Sequence, residues 1–308
     1  MPGSTALLVG AKDYAVSAAE KFITEHFVRT GIEATISPTK GSYWRVRYPL
    51  PQPPPRVTLI IPTRNRLDVL RPCVESLRSK TTYPNFEILI VDNDSDDPET
   101  LEYLHQLGAD AAGEGRREQG AGAQALASRA ESSGAAGNTT REGQVATGLS
   151  IPDPSPFSLL PSPEARQSGS VRIVHFPGAF NFSALVNFGV SQTDAPVVGL
   201  LNNDLEVIHG DWLDEMVSHA LRPEIGCVGA KLYYPDDRIQ HAGVILGING
   251  VASHAWQTFP RETPGQMCRN LLQQNLSAVT AACLVIRREV FLKAGGFDEK
   301  LKVAFNDV

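Results

Sequence analysis

The sequence predicts an α/β fold, a mostly parallel sheet covered by helices on both faces. Three observations carry that expectation. The segments "VTLIIP" and "FEILIVD" are apolar almost throughout, the pattern of strands buried on both faces. Each is followed by a stretch of helical periodicity, "LDVLRPCVESLRSK" and "PETLEYLHQL", and strand–helix alternation of this kind builds parallel sheets. The chain has 308 residues, 42% hydrophobic and 20% charged, which suffices for one large domain or two modest ones.

The elements follow in order. Residues 14–30 place Val16, Ala19, Phe22, Ile23 and Phe27 at helical spacing, and Gly31 is a fitting stop. "YWRVRY" alternates Trp44, Val46 and Tyr48 with Arg45 and Arg47, as a half-buried strand does, and "PLPQPPP" then reads as a stiff linker. Residues 1–55 are therefore expected to be an appendage, and 56–308 the main domain. In the first helix of that domain, Val69, Leu70, Cys73 and Leu77 share one side. Asp68 as its N-cap would keep Pro72 near the first turn. Pro98 opens the second helix.

Residues 108–170 break the pattern. Phe157 is their one aromatic, and 22 of the 63 positions are Gly or Ala. The composition predicts a disordered, low-complexity insertion, preferred over a catalytic lid. Order resumes with the strand "VRIVHF", the helix "FSALVNFGVSQ", the strand "PVVGLLNND" and the helix "DWLDEMVSHAL" with Asp211 as cap. "GCVGAKLYY" and "GVILG" read as strands, the second near an edge. "SAVTAACLVIRREVFLKAGGF" reads as a strand running into a short helix that stops at Gly295–Gly296.

The totals also exclude. A net charge of −6 argues against a general nucleic-acid binder. Cys73, Cys227, Cys268 and Cys283 form no CxxC pair and read as core thiols of a reducing compartment. The N-terminus lacks the apolar run of a signal peptide, and no segment reaches the roughly 18 apolar residues of a membrane span. The expected location is the cytoplasm, with a peripheral contact at the inner membrane face left open.

In an open parallel sheet, ligands bind beyond the carboxyl ends of the strands. Three strands here end in unusual chemistry: Pro62, Thr63, Arg64, Asn65 and Arg66 after the first, Asp92, Asn93, Asp94 and Ser95 after the second, and Asn202, Asn203 and Asp204 after "VVGLL". Any one cluster could be a plain turn. Three at equivalent ends predict a shared crevice. Carboxylate and amide oxygens suit Mg2+ or Mn2+, which usually completes its shell with substrate phosphates. Neither GxGxxG nor GxxxxGK[ST] occurs.

"VTLIIPTRNRLDVLRPCVESL", "YPNFEILIVDNDSDDPETLEYL", "LLNNDLEV", "GAKLYYPDDRIQHAGVILG" and "VTAACLVIRREVFLKAGGFDE" together resemble family 2 nucleotide-sugar glycosyltransferases of the bacterial surface-polysaccharide and O-antigen type. The resemblance covers residues 56–107 and 171–308, with a weaker extension to "YWRVRYPLPQPPP", and implies a GT-A, Rossmann-like fold and sugar transfer with inversion. It places Asp92 at the nucleotide base and Pro62, Thr63, Arg64 and Arg66 around the nucleotide pocket with Asn93, Asn202 and Asn203. "NND" stands where the family has a DxD-like motif, with Asn202 in place of the first acid and Asp204 left as the metal ligand. "AFNDV" matches the stretch in which Asp307 aligns with the catalytic base, Asn306 replacing the usual Glu. The implied partners are a nucleotide-diphosphate sugar donor and a saccharide or lipid-linked saccharide acceptor; the implied cofactor is Mg2+ or Mn2+.

Other residues stay open. His241 reads as a hydrogen-bonded structural histidine or an acceptor contact, Lys231 as a phosphate contact or a surface lysine. His254 and Trp256 form a sugar platform or pack in the core. Asn181 and Asn187 read as cap and face residues, and Arg287–Arg288 as a solvated helix start. The end at Val308 looks abrupt, so a truncated, catalytically weak nucleotide-sugar-binding fragment is the first alternative. A nucleotidyltransferase is the second, though "PTRNRLD" lacks the expected Gly-rich, Lys-containing loop.

Overall fold

Helix α1 (Asp13–Thr30) closes as its sequence requires. Ile32 N–H donates to the Phe27 carbonyl at 2.9 Å and Gly31 N–H to the Val28 carbonyl at 3.3 Å, with Gly31 at φ 68, the left-handed stop that glycine adopts without strain. Phe22, expected on the buried side, is 68% exposed: α1 packs on the small ribbon of β1 (Thr35–Pro38) and β2 (Trp44–Arg47), which is too narrow to cover it. This computed structural model describes residues 13–39, 43–109 and 168–305.

The main domain opens with β3 (Val57–Thr63), α2 (Leu67–Lys80) and β4 (Phe86–Asp92). Asp68 is not the N-cap of α2. Arg66 holds that position in a left-handed conformation, and Asp68 lies in the first turn. Pro72 therefore sits inside the helix. Helix α3 spans residues 98–109, and Asp97 caps it: its carboxylate accepts from Thr100 N–H at 2.9 Å and Thr100 Oγ1 at 2.6 Å. Most of the expected insertion lies outside the described residues. Its margins do not belong to it, because Gly108 and Ala109 finish α3 and residue 170 begins the next strand.

The second half runs β5 (Ser170–His175), α4 (Phe182–Ser191), β6 (Val197–Leu201), α5 (Trp212–Ala220), β7 (Cys227–Gly229) and β8 (Leu232–Tyr233). Then come β9 (Ile239–His241), β10 (Val244–Leu246), β11 (Ala252–His254), β12 (Cys283–Arg287) and α6 (Arg288–Lys293). β10 pairs with β11 in a ribbon of its own rather than at the edge of the main sheet. Arg287 corrects a further expectation. Its side chain is only 15% exposed, and its guanidinium donates to the carbonyls of Leu221, Arg222, Pro223 and Ile225. Those oxygens, at and beyond the end of α5, have no intrahelical partners, and the guanidinium satisfies them.

The main sheet has the order β5-β4-β3-β6-β12-β7. β5, β4, β3 and β6 are mutually parallel, and β12 runs antiparallel to both neighbours. Alternate residues feed two cores. Leu59, Ile61, Ile88 and Ile90 pack with Leu70, Leu77, Leu104 and Leu213 under α2, α3 and α5. Ile60, Leu89, Val91 and Leu200 pack with Leu185, Val190 and Phe291 under α4 and α6. Helices thus cover both faces, which is why the central strands read as unbroken apolar runs.

The N-terminal ribbon is tied to this sheet. The linker carbonyls of Pro54 and Pro55 accept from Asn85 Nδ2 at 3.0 Å and Tyr83 Oη at 2.6 Å. Arg45 Nη2 lies 2.8 Å from Glu215 Oε2 on α5. Burial alone would raise the Glu215 carboxyl, but the His219 imidazole at 3.6 Å, the Arg45 guanidinium and Gln273 Nε2 overcome it and bring the pKa down from 4.5 to about 2. The folded value lies below the unfolded one, so the stabilisation is complete above about pH 4.5 and lost as pH falls toward 2. Glu215→Gln is expected to cost on the order of 2 kcal/mol at neutral pH and to flatten the acid limb of stability. Urea unfolding at pH 7 and pH 3 checks this; an unchanged difference between the two would refute it.

Candidate functional site at the carboxyl edge of the sheet

The register of the sheet builds the site. Thr63 on β3 pairs with Asp92 on β4, and Asp92 pairs with His175 on β5. β6 enters beside β3 with Ile60 opposite Leu200, so the chain beyond Leu201 arrives level with Thr63. There Asn203 Nδ2 donates to Thr63 Oγ1 at 3.0 Å. The three expected clusters thus meet at one edge.

The loop after β3 is shaped by two left-handed residues, Asn65 at φ 54 and Arg66 at φ 57. Such non-glycine conformations cost energy and persist where surroundings over-determine them. Asn65 supplies that determination. Its Oδ1 accepts from the N–H groups of Asp96 at 2.9 Å and Asp97 at 3.0 Å, its Nδ2 donates to Asp96 Oδ1, and its own N–H donates to Ser95 Oγ at 2.8 Å. The loops after β3 and β4 are thereby one unit. Arg66 reaches Asp68 through two bonds of 2.9 Å; Asp68 raises the guanidinium pKa by hydrogen bond and charge, and Asp204 adds a smaller increment. Arg64 is exposed and Pro62 half-buried on this rim.

Asp92 is 6% exposed. Its Oδ1 accepts from Ser95 Oγ at 2.5 Å and Ser95 N–H at 3.3 Å, and its Oδ2 faces His175 Nδ1 at 3.3 Å. Asn93 departs from expectation. It is fully buried, and its Nδ2 donates to the carbonyls of Phe176 at 3.0 Å and Gly178 at 2.9 Å, so it holds the chain after β5 and presents no face to a ligand.

In the triplet after β6, Asn202 is fixed by its backbone: its N–H donates to the Ala282 carbonyl at 2.9 Å, and its carbonyl accepts from Cys73 Sγ at 3.8 Å. Asn203 is held by Thr63, and Asp204 is exposed. The donor set is therefore one free carboxylate beside two amides, all hard oxygens. It fits a Mg2+ or Mn2+ ion that keeps phosphate and water among its ligands. Among the described residues, no three His, Cys, Asp or Glu side chains gather as a metal cage.

Other expected contacts lie elsewhere. Lys231 follows β7, two strands from β6; its Nζ donates to the Asn270 carbonyl at 2.8 Å, and burial lowers its pKa. His241 is 2% exposed, accepts from Gly243 N–H at 3.2 Å, and meets His254 Nδ1 to Nδ1 at 2.8 Å. The structural reading of His241 fits this burial. Asn181 caps α4, accepting from Ala184 N–H at 3.2 Å. Asp307 lies outside the described residues. Three site residues escaped the sequence reading of roles: Asn65, Ser95 and His175. The strand-end rule that singled out Asp92 would have found His175, which ends the neighbouring strand.

The model of a family described as "Glycosyl transferase family 2" matches residues 58–117 and 161–295. "Uncharacterized protein y4gI" of Sinorhizobium fredii is 41% identical over 311 residues, covering 100% of this chain and 28% of that protein. "O-antigen biosynthesis protein RfbC" of Myxococcus xanthus is 33% identical over 302 residues, covering 96% of this chain and 19% of that protein. The chain thus spans less than a third of either relative. Among solved structures, the mannosyltransferase PcManGT from Pyrobaculum calidifontis, in complex with GDP-Man and Mn2+, has a TM-score of 0.43 at 15% identity, over 96% of this chain and 60% of that one. S. aureus TarS 1-349 has a TM-score of 0.42 at 12% identity, over 82% and 53%. The family match spans both halves of the sheet and all three strand-end clusters, so the chain belongs to glycosyl transferase family 2.

Proposed function

We propose that this domain transfers a sugar, with inversion, from a nucleotide-diphosphate sugar to a saccharide or lipid-linked saccharide acceptor, on the cytoplasmic side of a membrane, in the assembly of a surface polysaccharide. The observation that carries the reading is the Thr63–Asn203 hydrogen bond, which locks the nucleotide-side loop to the loop that delivers Asp204. The RfbC relative, named for O-antigen biosynthesis, supports the polysaccharide context.

Each residue has a place in this scheme. Thr63, Asp92 and the Asn65–Ser95 unit form the nucleoside subsite, and Arg64 and Arg66 stand at its rim for phosphate. Asp204, flanked by Asn202 and Asn203, holds Mg2+ or Mn2+, which when bound neutralises charge on the diphosphate. The acceptor hydroxyl oxygen bonds to the anomeric carbon from the face opposite the diphosphate, the bond from that carbon to the diphosphate oxygen breaks, and Asp307 takes the hydroxyl proton.

A panel of sugar nucleotides tested for protection against thermal unfolding, each with Mn2+, addresses donor class. A true donor at 100 times its Kd stabilises by about 2.7 kcal/mol, and one base series is expected to stand out. Failure of every nucleoside diphosphate and its sugars to raise the midpoint would remove the reading.

A further inference from the structure

Asp92 stands at the nucleoside subsite, yet the free protein leaves it almost no exposed surface. The cover is His175. Its ring, 59% exposed as a side chain, lies between two carboxylates, with Nδ1 3.3 Å from Asp92 Oδ2 and Nε2 3.0 Å from Asp94 Oδ1. Below it, Ser95 takes the other oxygen of Asp92. A carboxylate has about four acceptor directions. Ser95 uses two at Oδ1, and His175 stands over Oδ2.

Asp94 is built to keep the ring there. It occupies a left-handed conformation, φ 54, which Asp tolerates better than most residues. Its Oδ2 accepts from Gly178 N–H at 2.6 Å, leaving Oδ1 for His175. The backbone of His175 is fixed as well, because β5 pairs with β4 through the Asp92–His175 register. The side chain alone can move, and when it leaves Asp92 the Asp94 contact still tethers it.

We infer that His175 is the affinity- and specificity-determining gate of the nucleobase subsite: in the free enzyme it occupies the place on Asp92 that an N–H group of the donor's base takes in the complex. The inference rests on the glycosyltransferase reading above. Base binding exchanges one hydrogen bond on Asp92 for another, so its net gain is small, and a base whose N–H does not reach Asp92 cannot displace the ring. Such exchange converts a tight contact into a selective one.

The test is calorimetry on the whole chain with Mn2+, using UDP, GDP and dTDP as probes and inorganic pyrophosphate as the probe without a base. His175→Ala is expected to tighten the preferred nucleoside diphosphate about 3- to 10-fold, to narrow the spread between bases, and to leave pyrophosphate unchanged. Asp94→Asn, which keeps an oxygen for Gly178 N–H but removes the tethering charge, should shift affinity in the same direction by less, and stands in if His175→Ala does not fold. Unchanged or weaker nucleotide binding in the variants, or equal tightening of pyrophosphate, overturns the gate while leaving the glycosyltransferase reading intact. No nucleotide binding by the wild-type chain would sink both.

Discussion

Asp204→Ala is expected to weaken Mn2+-dependent nucleoside diphosphate binding by about 100-fold or more while leaving the fold unchanged. Binding measured without the ion should barely differ from wild type. The argument is positional. β6 is fully buried and apolar, and it drives the chain to the carboxyl edge, where Asn202 is pinned through its backbone to Ala282 and Asn203 through its side chain to Thr63. Of the triplet, Asp204 alone offers a carboxylate, and it is exposed. Under the reading proposed above, Asp204 would be the charged ligand that the triplet offers a hard divalent ion, and the variant would lose it. An exposed acid at this position contributes little to the core, so the unfolding midpoint should stay within about 2 °C of wild type. Glu206→Ala is the internal control: it removes an exposed acid two residues away and should leave Mn2+-dependent affinity intact. Equal losses in both variants would mean that the local negative field, and not ligation by Asp204, holds the ion.

Much of this edge was legible in the sequence because parallel strands buried on both faces leave a distinctive trace. "VTLIIP", "FEILIVD" and "VVGLL" could hardly be anything else, and their polar endings follow from where such strands stop. What stayed hidden depends on distances that no local pattern encodes. Asn65 looked like one turn residue among several. Its importance comes from the parallel register that sets Thr63 beside Asp92 and brings the two following loops within hydrogen-bond reach. The α2 cap is hidden for a related reason: two successive left-handed residues, one of them Arg66, are a conformation that sequence preference argues against. Arg287 beside Arg288 had the look of a solvated pair, yet it serves carbonyls more than 60 residues away in the chain. His175 ends β5, a half-buried edge strand, and its place beside Asp92 follows from the strand register and not from its local pattern.

Asp307→Asn is expected to lower sugar transfer by about 10²- to 10⁴-fold, the usual contribution of a positioned general base, with no change in nucleoside diphosphate affinity. Asp307 itself lies outside the described residues, but the chain leading to it is anchored. Asn181 Nδ2 donates to the Glu299 carbonyl at 2.9 Å, Phe182 N–H to the Lys302 carbonyl at 2.9 Å, and Ser183 Oγ to the Leu301 carbonyl at 2.7 Å. Asn187 holds Phe297 through both its amide atoms. All four residues belong to the start of α4 or its exposed face, and α4 begins just beyond the carboxyl end of β5. The segment 297–302 is thereby fastened at the same edge as Thr63, Asp92 and Asn203. Asp307 follows Lys302 by five positions in the sequence. The anchors can be tested separately from the base. Asn187→Ala frees Phe297 and should lower the transfer rate through poorer placement of Asp307, by less than Asp307→Asn and again without changing nucleotide affinity. In the double variant the two losses should not add, because a misplaced residue has no proton acceptor left to lose. Fully additive losses would mean that Asn187 acts on something other than the base, and an Asp307→Asn enzyme that transfers sugar at the wild-type rate would move the base to another residue.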